Sequence, residues 1–130
     1  MFVLDTNTLI YFFKGQGRVA DRLLSIQPRD IAIPAISLFE LETGLRKSAA
    51  PEKRRRQLTA LIDLVTVIPF GIREAEAAAT VRATLELLGQ PIGPYDTLIA
   101  GIALAPNATL VTRNQAEFSR IDGLHLVDWY

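Results

Sequence analysis

The sequence contains no cysteine and a single histidine, His125, among its 130 residues. The absence of cysteine excludes disulfides, thiolate metal sites and a cysteine nucleophile. His125 lies in the last few residues, apart from other polar groups, and is interpreted as structural. Any metal or acid–base chemistry in this chain must therefore rest on oxygen ligands and carboxylates.

Net charge and long apolar runs are also lacking. The 14 basic and 14 acidic side chains cancel, so contact with a polyanion would need a local patch. The longest apolar run, residues 98–105, is much shorter than the ~18 residues of a membrane span. The N-terminus has no basic leading region of the kind found in signal peptides, which predicts a cytoplasmic protein without a membrane segment.

Short apolar strands are predicted to alternate with helices along the whole chain. The strands are expected at residues 1–4, 31–33, 65–68, 109–112 and 125–127, and the helices at residues 6–14, 19–26, 35–47, 51–64, 72–88 and 94–105. This alternation predicts an α/β fold in which a central parallel sheet carries helices on both faces. No linker or repeat interrupts it, so residues 1–130 are expected to form a single domain.

Four acids stand where such a fold brings side chains together. Asp5 follows the first strand, Glu40 lies in an otherwise apolar helix, Asp96 opens a helix after Pro94, and Glu117 follows the fourth strand. The ends of parallel strands and the starts of the next helices meet at one rim, where ligands bind. Acids at that rim, without histidine or cysteine, favour a hard divalent cation such as Mg²⁺ or Mn²⁺. The chemistry this predicts is metal-assisted phosphodiester cleavage.

Each acid also has an ordinary structural explanation. Asp5 suits a helix N-cap, Asp96 would be favoured by the dipole at its helix N-terminus, and Glu117 and Asn114 suit an exposed loop. Glu40 is more informative than its neighbour Glu42, because Glu42 stands four residues before an arginine, the spacing of a surface ion pair. Glu42 is therefore interpreted as structural, and Glu40 as a candidate ligand.

Six of the fourteen basic residues lie within one short segment that begins one to two helical turns beyond Glu40: Arg46, Lys47, Lys53, Arg54, Arg55 and Arg56. Most such runs are solvated helix faces, but this position also suits contact with RNA phosphates, which would position RNA without reading its sequence. Tyr95, beside Asp96, has the chemistry to stack on an unpaired base, although ordinary packing explains it as well.

Several other enzyme classes are disfavoured. A phosphatase with an aspartyl nucleophile at Asp5 would need a second aspartate at position 7, where Asn7 stands. A phosphate-accepting receiver domain would need a further acid pair near the N-terminus and a lysine after a later strand. No glycine-rich phosphate loop is followed by lysine. The remaining competitor to a nuclease is a non-catalytic module that binds RNA or a protein partner.

Four segments of the chain resemble the motifs of PIN-domain proteins, in the same order. They are MFVLDTNTLIY at residues 1–11, ISLFELETG at 36–44, PYDTLIA at 94–100 and LVTRNQAEF at 110–118. The ending GLHLVDW at residues 123–129 is typical of one branch, the VapC-type toxins of bacterial toxin–antitoxin modules. The similarity covers nearly the whole chain.

The resemblance implies an α/β/α sandwich with a short central sheet and an Mg²⁺- or Mn²⁺-dependent endoribonuclease that inhibits translation. It also implies a homodimer that a VapB-type antitoxin holds inactive. Initiator tRNA, other tRNAs and ribosomal RNA all remain open as substrates. The implied metal ligands are Asp5, Glu40 and Asp96. The implied fourth acid is Glu117, which would act through water. The implied supporting residues are Thr6, Asn7, Thr112 and Asn114.

The fourth acid is the least defined of these positions, because many relatives carry aspartate where Asn114 stands, while others carry an acid where Glu117 stands. Thr112 resembles the motif's threonine, which is expected to orient Asp5 through a hydrogen bond. Thr6 and Asn7 are expected to shape the same turn.

Overall fold

The computed structural model describes all residues, 1–130. Five strands and seven α-helices follow one another in this order: β1 Phe2–Leu4, α1 Thr6–Lys14, α2 Val19–Leu24, β2 Ile31–Pro34, α3 Ala35–Lys47, α4 Glu52–Leu64, β3 Thr66–Ile68, α5 Ile72–Leu87, α6 Pro94–Leu104, β4 Thr109–Val111, α7 Gln115–Phe118 and β5 His125–Val127. A short 3₁₀ turn, Pro28–Asp30, precedes β2.

The strands form one parallel sheet in the order β3-β2-β1-β4-β5. In the central strand β1, Val3 is in register with Ala32 of β2 on one side and with Leu110 of β4 on the other. The chain builds outward from β1 to β3 on one side, and then adds β4 and β5 on the other. The strand order therefore reverses at the boundary between β1 and β4, which is where open α/β sheets bind ligands.

Alternating strand residues divide the core into two layers. On one face, Leu4, Ile33 and Val111 pack with apolar residues of α1 to α4. On the other face, Val3 and Leu110 pack with α5, α6 and the segment around α7. Because successive strand side chains point to opposite faces, both faces of the sheet must be covered, and the α/β/α sandwich predicted from the sequence is confirmed.

Local chemistry accounts for most element boundaries. Gly15 ends α1 with a left-handed φ of 67°, which a residue without Cβ adopts at little cost. Pro94 opens α6 in the first-turn position, where its missing N–H has no partner to lose. Helix α2 stops at Leu24, because the next two amides bond to carbonyls three residues back. The predicted elements agree with the structure to within two residues, but α7 and the 3₁₀ turn were not predicted.

A glycine sets the separation between α5 and α6. A Cβ added to Gly101 would lie 2.7 Å from the Ala78 Cβ and from the Glu74 carbonyl oxygen. The two helices thus meet at a point where only hydrogen fits, which fixes the position of α6 against α5. No helix of the chain is both long enough and apolar enough to cross a membrane.

Candidate active site

Asp5 lies at the end of β1 and is almost completely buried, with 5% of its surface exposed. Its Oδ1 accepts a hydrogen bond of 2.9 Å from the Thr8 amide, so it caps α1 as one sequence interpretation predicts. Its Oδ2 accepts a 2.6 Å hydrogen bond from the Thr112 hydroxyl. Burial raises the pKa of Asp5, and these hydrogen bonds offset the shift only in part. Asp5 is therefore both a cap and a desolvated anion without a cationic partner.

The loop after β4 is organised around Thr112, which is fully buried. Its hydroxyl donates to Asp5, as the PIN-domain resemblance predicts, and accepts a 3.0 Å hydrogen bond from the Asn114 amide. The Gln115 side chain donates to the Thr112 carbonyl at 2.7 Å. Residues on both sides of position 113 are therefore tied to the buried carboxylate of Asp5.

Glu40 enters the site from α3, and its Oε1 accepts a 2.7 Å hydrogen bond from the Thr6 hydroxyl. That hydroxyl also lies 3.1 Å from the Ser37 hydroxyl, one turn earlier on α3. Thr6 therefore connects the first turn of α1 to the glutamate, which agrees with its predicted supporting role. Asn7, predicted to support the same turn, is exposed and makes no side-chain hydrogen bond within the chain.

Asp96 is half-buried in the first turn of α6, where it has three acidic neighbours. Burial is the largest cause of a pKa raised to about 6, followed by the adjacent carboxylate of Glu117 and by repulsion from Asp5 and Glu40. Because the other three predicted acids all contribute to the raised pKa of Asp96, the four acids lie in a single region. The favourable helix dipole does not compensate for that concentration of negative charge.

Glu117 and Asn114 act as a pair and not as alternatives for the fourth position. The side-chain amide of Asn114, through Nδ2, donates a 3.0 Å hydrogen bond to Glu117 Oε2. The carboxylate of Glu117 lies beside Asp96, so the structure brings Glu117 to the other predicted acids and places Asn114 against it. Short helix α7 supplies this geometry by turning residue 117 back toward the start of α6.

Two further residues belong to this region and were not predicted. Ser37 is fully buried against Thr6, and its position one turn before Glu40 is the only sequence signal for it. Asp128 follows β5 and adds to the repulsion that raises the pKa of Asp5. Its place at a strand end could have indicated that role, but its neighbourhood depends on β5 pairing with β4.

The donor set fits a hard divalent cation. Carboxylate oxygens and hydroxyl groups face a region in which the pKa values of Asp5 and Asp96 are raised, the condition that a bound cation relieves. No three acidic side chains are close enough here to ligate one ion directly. Mg²⁺ commonly uses one or two carboxylates and several waters, so the residues present suit such an ion.

Glu42 has entirely different surroundings, although it is only two residues from Glu40. Arg46 forms the predicted ion pair with it, and Arg55 binds both of its oxygens, at 2.6 and 2.8 Å. Hydrogen bonds from Arg55 and then Arg46 lower the pKa of Glu42 to about 2. Its structural interpretation agrees with these contacts, which also engage two of the six clustered basic residues.

The remaining basic residues divide into two groups. Lys53 and Arg54 line a groove of about 530 Å³ between α1, α3 and α4, which also contains Glu40 and Gly44. A Cβ at Gly44 would meet nothing within 4 Å, so the groove is open there. Lys47 and Arg56 are exposed outside this lining. Lys14 of α1 also lines the groove, which therefore connects three cations to one of the site acids.

Tyr95 is exposed beside the acids and makes an edge-to-face contact with Phe39, at 5.7 Å between ring centroids. Both side chains are about half exposed, at 46% and 51%. Tyr95 also borders an apolar cavity of about 550 Å³ lined largely by α5 and α6. An aromatic surface thus adjoins the acidic rim.

The fold and the site together define a class, namely three-layer α/β domains with a carboxylate-lined rim at the point where the strand order reverses. Residues 2–124 match the PIN domain, and the chain belongs to the PIN-domain family.

Named relatives extend over nearly the full length. The chain is 35% identical to the tRNA(fMet)-specific endonuclease VapC of Salmonella typhimurium, covering 98% of this chain and 97% of that protein. It is also 35% identical to ribonuclease VapC2 of Rickettsia felis, covering 99% and 98%. Among solved structures, DNA-bound VapBC from Salmonella typhimurium matches with a TM-score of 0.92 at 36% identity, covering 99% of this chain and 98% of that one. VapBC2 from Rickettsia felis bound to a promoter DNA fragment matches with a TM-score of 0.91 at 35% identity, with the same coverage.

Proposed function

We propose that this chain is a VapC-type endoribonuclease, the toxin of a toxin–antitoxin module, which cleaves RNA with Mg²⁺ or Mn²⁺ and thereby inhibits translation. One observation carries the proposal most directly. Asp96 is surrounded by Glu117, Asp5 and Glu40 with no basic partner, and its pKa is raised to about 6. Such a cluster is unfavourable as a structural element but suits a divalent cation. The similarity to named ribonucleases over nearly the full length supports the same reaction.

The proposed site divides its tasks among the acids. Asp5, Glu40 and Asp96 would hold the cation, at least one of them through a bound water, and Glu117 would act through water, with Asn114 fixing its carboxylate. A bound Mg²⁺ supplies a water of lowered pKa and neutralises charge that develops on the phosphate. Thr112 holds Asp5 in place and Thr6 holds Glu40. These two hydroxyls thus fix the acids before any substrate arrives.

RNA would approach along the groove between α1, α3 and α4, where Lys53 and Arg54 contact phosphates. Arg54 is held there by stacking over the Phe13 ring, 5.1 Å from its centroid, and by a 2.8 Å hydrogen bond to Gln57. Lys47 and Arg56 would add weaker contacts at the exposed edge, while Arg46 and Arg55 contribute less because Glu42 already binds them. Tyr95 would stack on an unpaired base.

The partners proposed are a VapB-type antitoxin and a second copy of the chain. Solved structures similar to this chain are VapBC complexes, which supports the first. The apolar cavity lined largely by α5 and α6 is a surface that suits a protein partner, which supports the second. Cleavage of cellular RNA would place the protein in the cytoplasm. tRNA is the favoured substrate class, since the Salmonella relative is named for tRNA(fMet).

The decisive experiment incubates the purified chain with total bacterial RNA, with and without Mg²⁺ or Mn²⁺, beside an Asp96→Asn variant. We expect discrete fragments only when both the cation and Asp96 are present, and sequencing of their ends would identify the RNA and the bond. Cleavage that persists in the variant or in chelator would contradict the proposed site.

A second candidate function is a non-catalytic module that binds RNA or a partner protein. It is favoured by the observation that no three acids are close enough to ligate an ion directly. Calorimetry with Mg²⁺ and Mn²⁺ separates the two functions, because the nuclease requires cation binding that Asp96→Asn weakens. Absence of both binding and cleavage would favour the module.

A further inference from the structure

Arg113 is a cation that the proposed metal site and the basic cluster do not use. It lies in the loop after β4, between Thr112, whose hydroxyl donates to Asp5, and Asn114, whose amide donates back to Thr112. The backbone of Arg113 is therefore fixed on both sides by the network that holds the buried carboxylate. A basic residue at this position carries its charge beside an otherwise acidic rim.

The side chain of Arg113 is held by an aromatic ring and not by an acid. Its guanidinium carbon lies 3.6 Å from the centroid of the Tyr130 ring. The three ion pairs of the structure involve other arginines, and no side-chain hydrogen bond uses Arg113 as donor. Stacking on a ring restrains the plane of a guanidinium but leaves its N–H groups at the edge free to bind a phosphate.

Tyr130 is itself unusually well fixed for a half-exposed side chain. Its ring makes an edge-on contact with Tyr11 of α1, at 5.0 Å between centroids, and its amide donates to Asp128 Oδ1 at 2.9 Å. Gly17 leaves space for it, since a Cβ there would lie 2.7 Å from Tyr130 atoms. These contacts make Tyr130 a rigid support for Arg113.

The strand order places this cation on the opposite flank of Asp5 from the groove. Strand β1, which ends at Asp5, lies between β2, which leads into α3, and β4, which leads into Arg113. Lys53 and Arg54 border Glu40 on the α3 side. A polyanion crossing the acidic rim would therefore meet Lys53 and Arg54 on the α3 side and Arg113 on the β4 side.

We propose that Arg113, positioned by Tyr130, binds an RNA phosphate on the β4–β5 side of the acids, so that the RNA backbone is held on both flanks of the bond to be cleaved. The inference rests on the proposed ribonuclease function and adds a substrate contact to it. Arg113 is the phosphate-binding residue, and Tyr130 is a positioning residue that acts through it.

The test measures RNA binding separately from cleavage. All variants carry Asp96→Asn in the full chain and are titrated in Mg²⁺ buffer by fluorescence anisotropy against a labelled single-stranded oligoribonucleotide, with unfractionated bacterial tRNA as competitor. Arg113→Gln is compared with Arg29→Gln, a matched loss of one exposed charge in the turn that precedes β2, at the far end of the sheet. We expect Arg113→Gln to weaken binding about tenfold at low salt and to reduce the slope of log K against log salt by about 1, with Arg29→Gln unchanged.

A pair of variants at Tyr130 tests its positioning role. Tyr130→Leu removes the ring. On a logarithmic scale, it is expected to weaken RNA binding by about half as much as Arg113→Gln does, or more. Tyr130→Phe keeps the ring and is expected to bind RNA as tightly as the chain with Tyr130 does. Thermal melts check that each variant is folded. Weak binding by Tyr130→Phe equal to that of Tyr130→Leu would overturn the stacking role of the ring.

The outcomes separate this inference from the proposed function. If the unmodified chain cleaves RNA with the cation but Arg113→Gln binds RNA as well as Arg29→Gln does, the phosphate contact is overturned and the ribonuclease stands. If the unmodified chain does not cleave RNA, and no variant binds RNA, both the phosphate contact and the proposed ribonuclease function are overturned. Equal losses in Arg113→Gln and Arg29→Gln would show a general charge effect and would also overturn the specific contact.

Discussion

Glu40 and Glu42 lie two residues apart on α3, yet they represent two opposite electrostatic regions. Glu42 is enclosed by Arg46 and Arg55, and its pKa falls to about 2. Glu40 adds to the charge repulsion at Asp96, and its hydrogen-bond donor is the neutral hydroxyl of Thr6. The comparison distinguishes an acid paired with arginines of the same chain from acids that form no ion pair within the chain. Both residues are glutamates, so what distinguishes the structural one from the one at the site is the presence of neighbouring arginines.

The strongest test exchanges each glutamate for its neutral isostere. Glu40→Gln should reduce metal-dependent RNA cleavage by about a hundredfold or more, because a proposed ligand is lost. Glu42→Gln should stay within about threefold of the unmodified chain, since its partners lie away from the acids. Initial rates of fragment formation from total bacterial RNA measure both. A large loss in Glu42→Gln alone would reverse the assignment of the two glutamates.

Substitution of Thr112 tests how much a neutral hydroxyl next to the Asp5 carboxylate contributes to the stability of the folded chain. Thr112→Val removes the donor to Asp5 Oδ2 and the acceptor of the Asn114 amide, all in a buried region. The free energy of unfolding should fall by about 1–3 kcal/mol, the usual cost of leaving buried polar groups unsatisfied. Chemical denaturation at pH 7 provides the measurement.

Thr112→Ser is the matched control for that change, because it keeps the hydroxyl and removes only the methyl group. It should recover most of the lost stability. A loss of stability in the serine variant without a loss in the valine variant would mean that packing of the methyl group, and not the hydrogen bond to Asp5, determines the effect.

The raised pKa of Asp96 predicts how the free energy of unfolding depends on pH. Its pKa is raised from 3.8 to about 6 in the folded chain, so the folded state binds this proton more tightly than the unfolded state does. The resulting stabilisation is complete below the unfolded pKa and is lost as pH rises through the folded pKa. Because Asp96 is only half-buried, solvent screening leaves an effect on the order of 1 kcal/mol. Denaturation between about pH 4 and pH 7 measures it.

Asp96→Asn should remove that part of the pH dependence and be at least as stable as the unmodified chain at pH 7. Mg²⁺ at pH 7 should raise the melting temperature of the unmodified chain more than that of the variant, because a ligand of the folded state stabilises it. Identical pH profiles for the two proteins would remove Asp96 from the charged cluster.

The smallest expected effect concerns the compensated region. Glu42→Gln leaves Arg46 and Arg55 without their anion, but the pairs are partly exposed. The melting temperature should fall by less than about 4 °C at low salt, and the difference should shrink at high salt through screening. A salt-independent loss would indicate packing by the glutamate side chain instead.

The sequence predicted most of the fold because the relevant signals are local. Apolar runs, prolines and glycines placed the boundaries of all five strands and of six helices to within two residues. Helix α7 escaped prediction because four residues are too few for a periodic pattern. The pairing of Glu42 with Arg46 followed from a spacing of one helical turn, whereas the stronger bond to Arg55, thirteen residues away, had no local signal.

The candidate site shows the same division. The positions of Asp5, Glu40, Asp96 and Glu117 could be predicted, since strand ends and helix starts share one rim in a parallel sheet. Ser37 and Asp128 were missed, because their relevance depends on contacts between segments distant along the chain. The partnership of Asn114 with Glu117 also had to be resolved in three dimensions, although the two residues are one turn apart.

The sequence by itself determined the parallel α/β/α architecture, the rim at which four acids stand and the intrinsic charge of each group. Tertiary structure decided which charges meet a partner distant along the chain and which acids gather without one, because this depends on the strand order β3-β2-β1-β4-β5 and on the packing of α4 against α3. The same order places Arg113 and its Tyr130 support across Asp5 from the basic groove. Burial and neighbouring charges set pKa values through distances in space, and those distances are fixed only when the sheet has assembled.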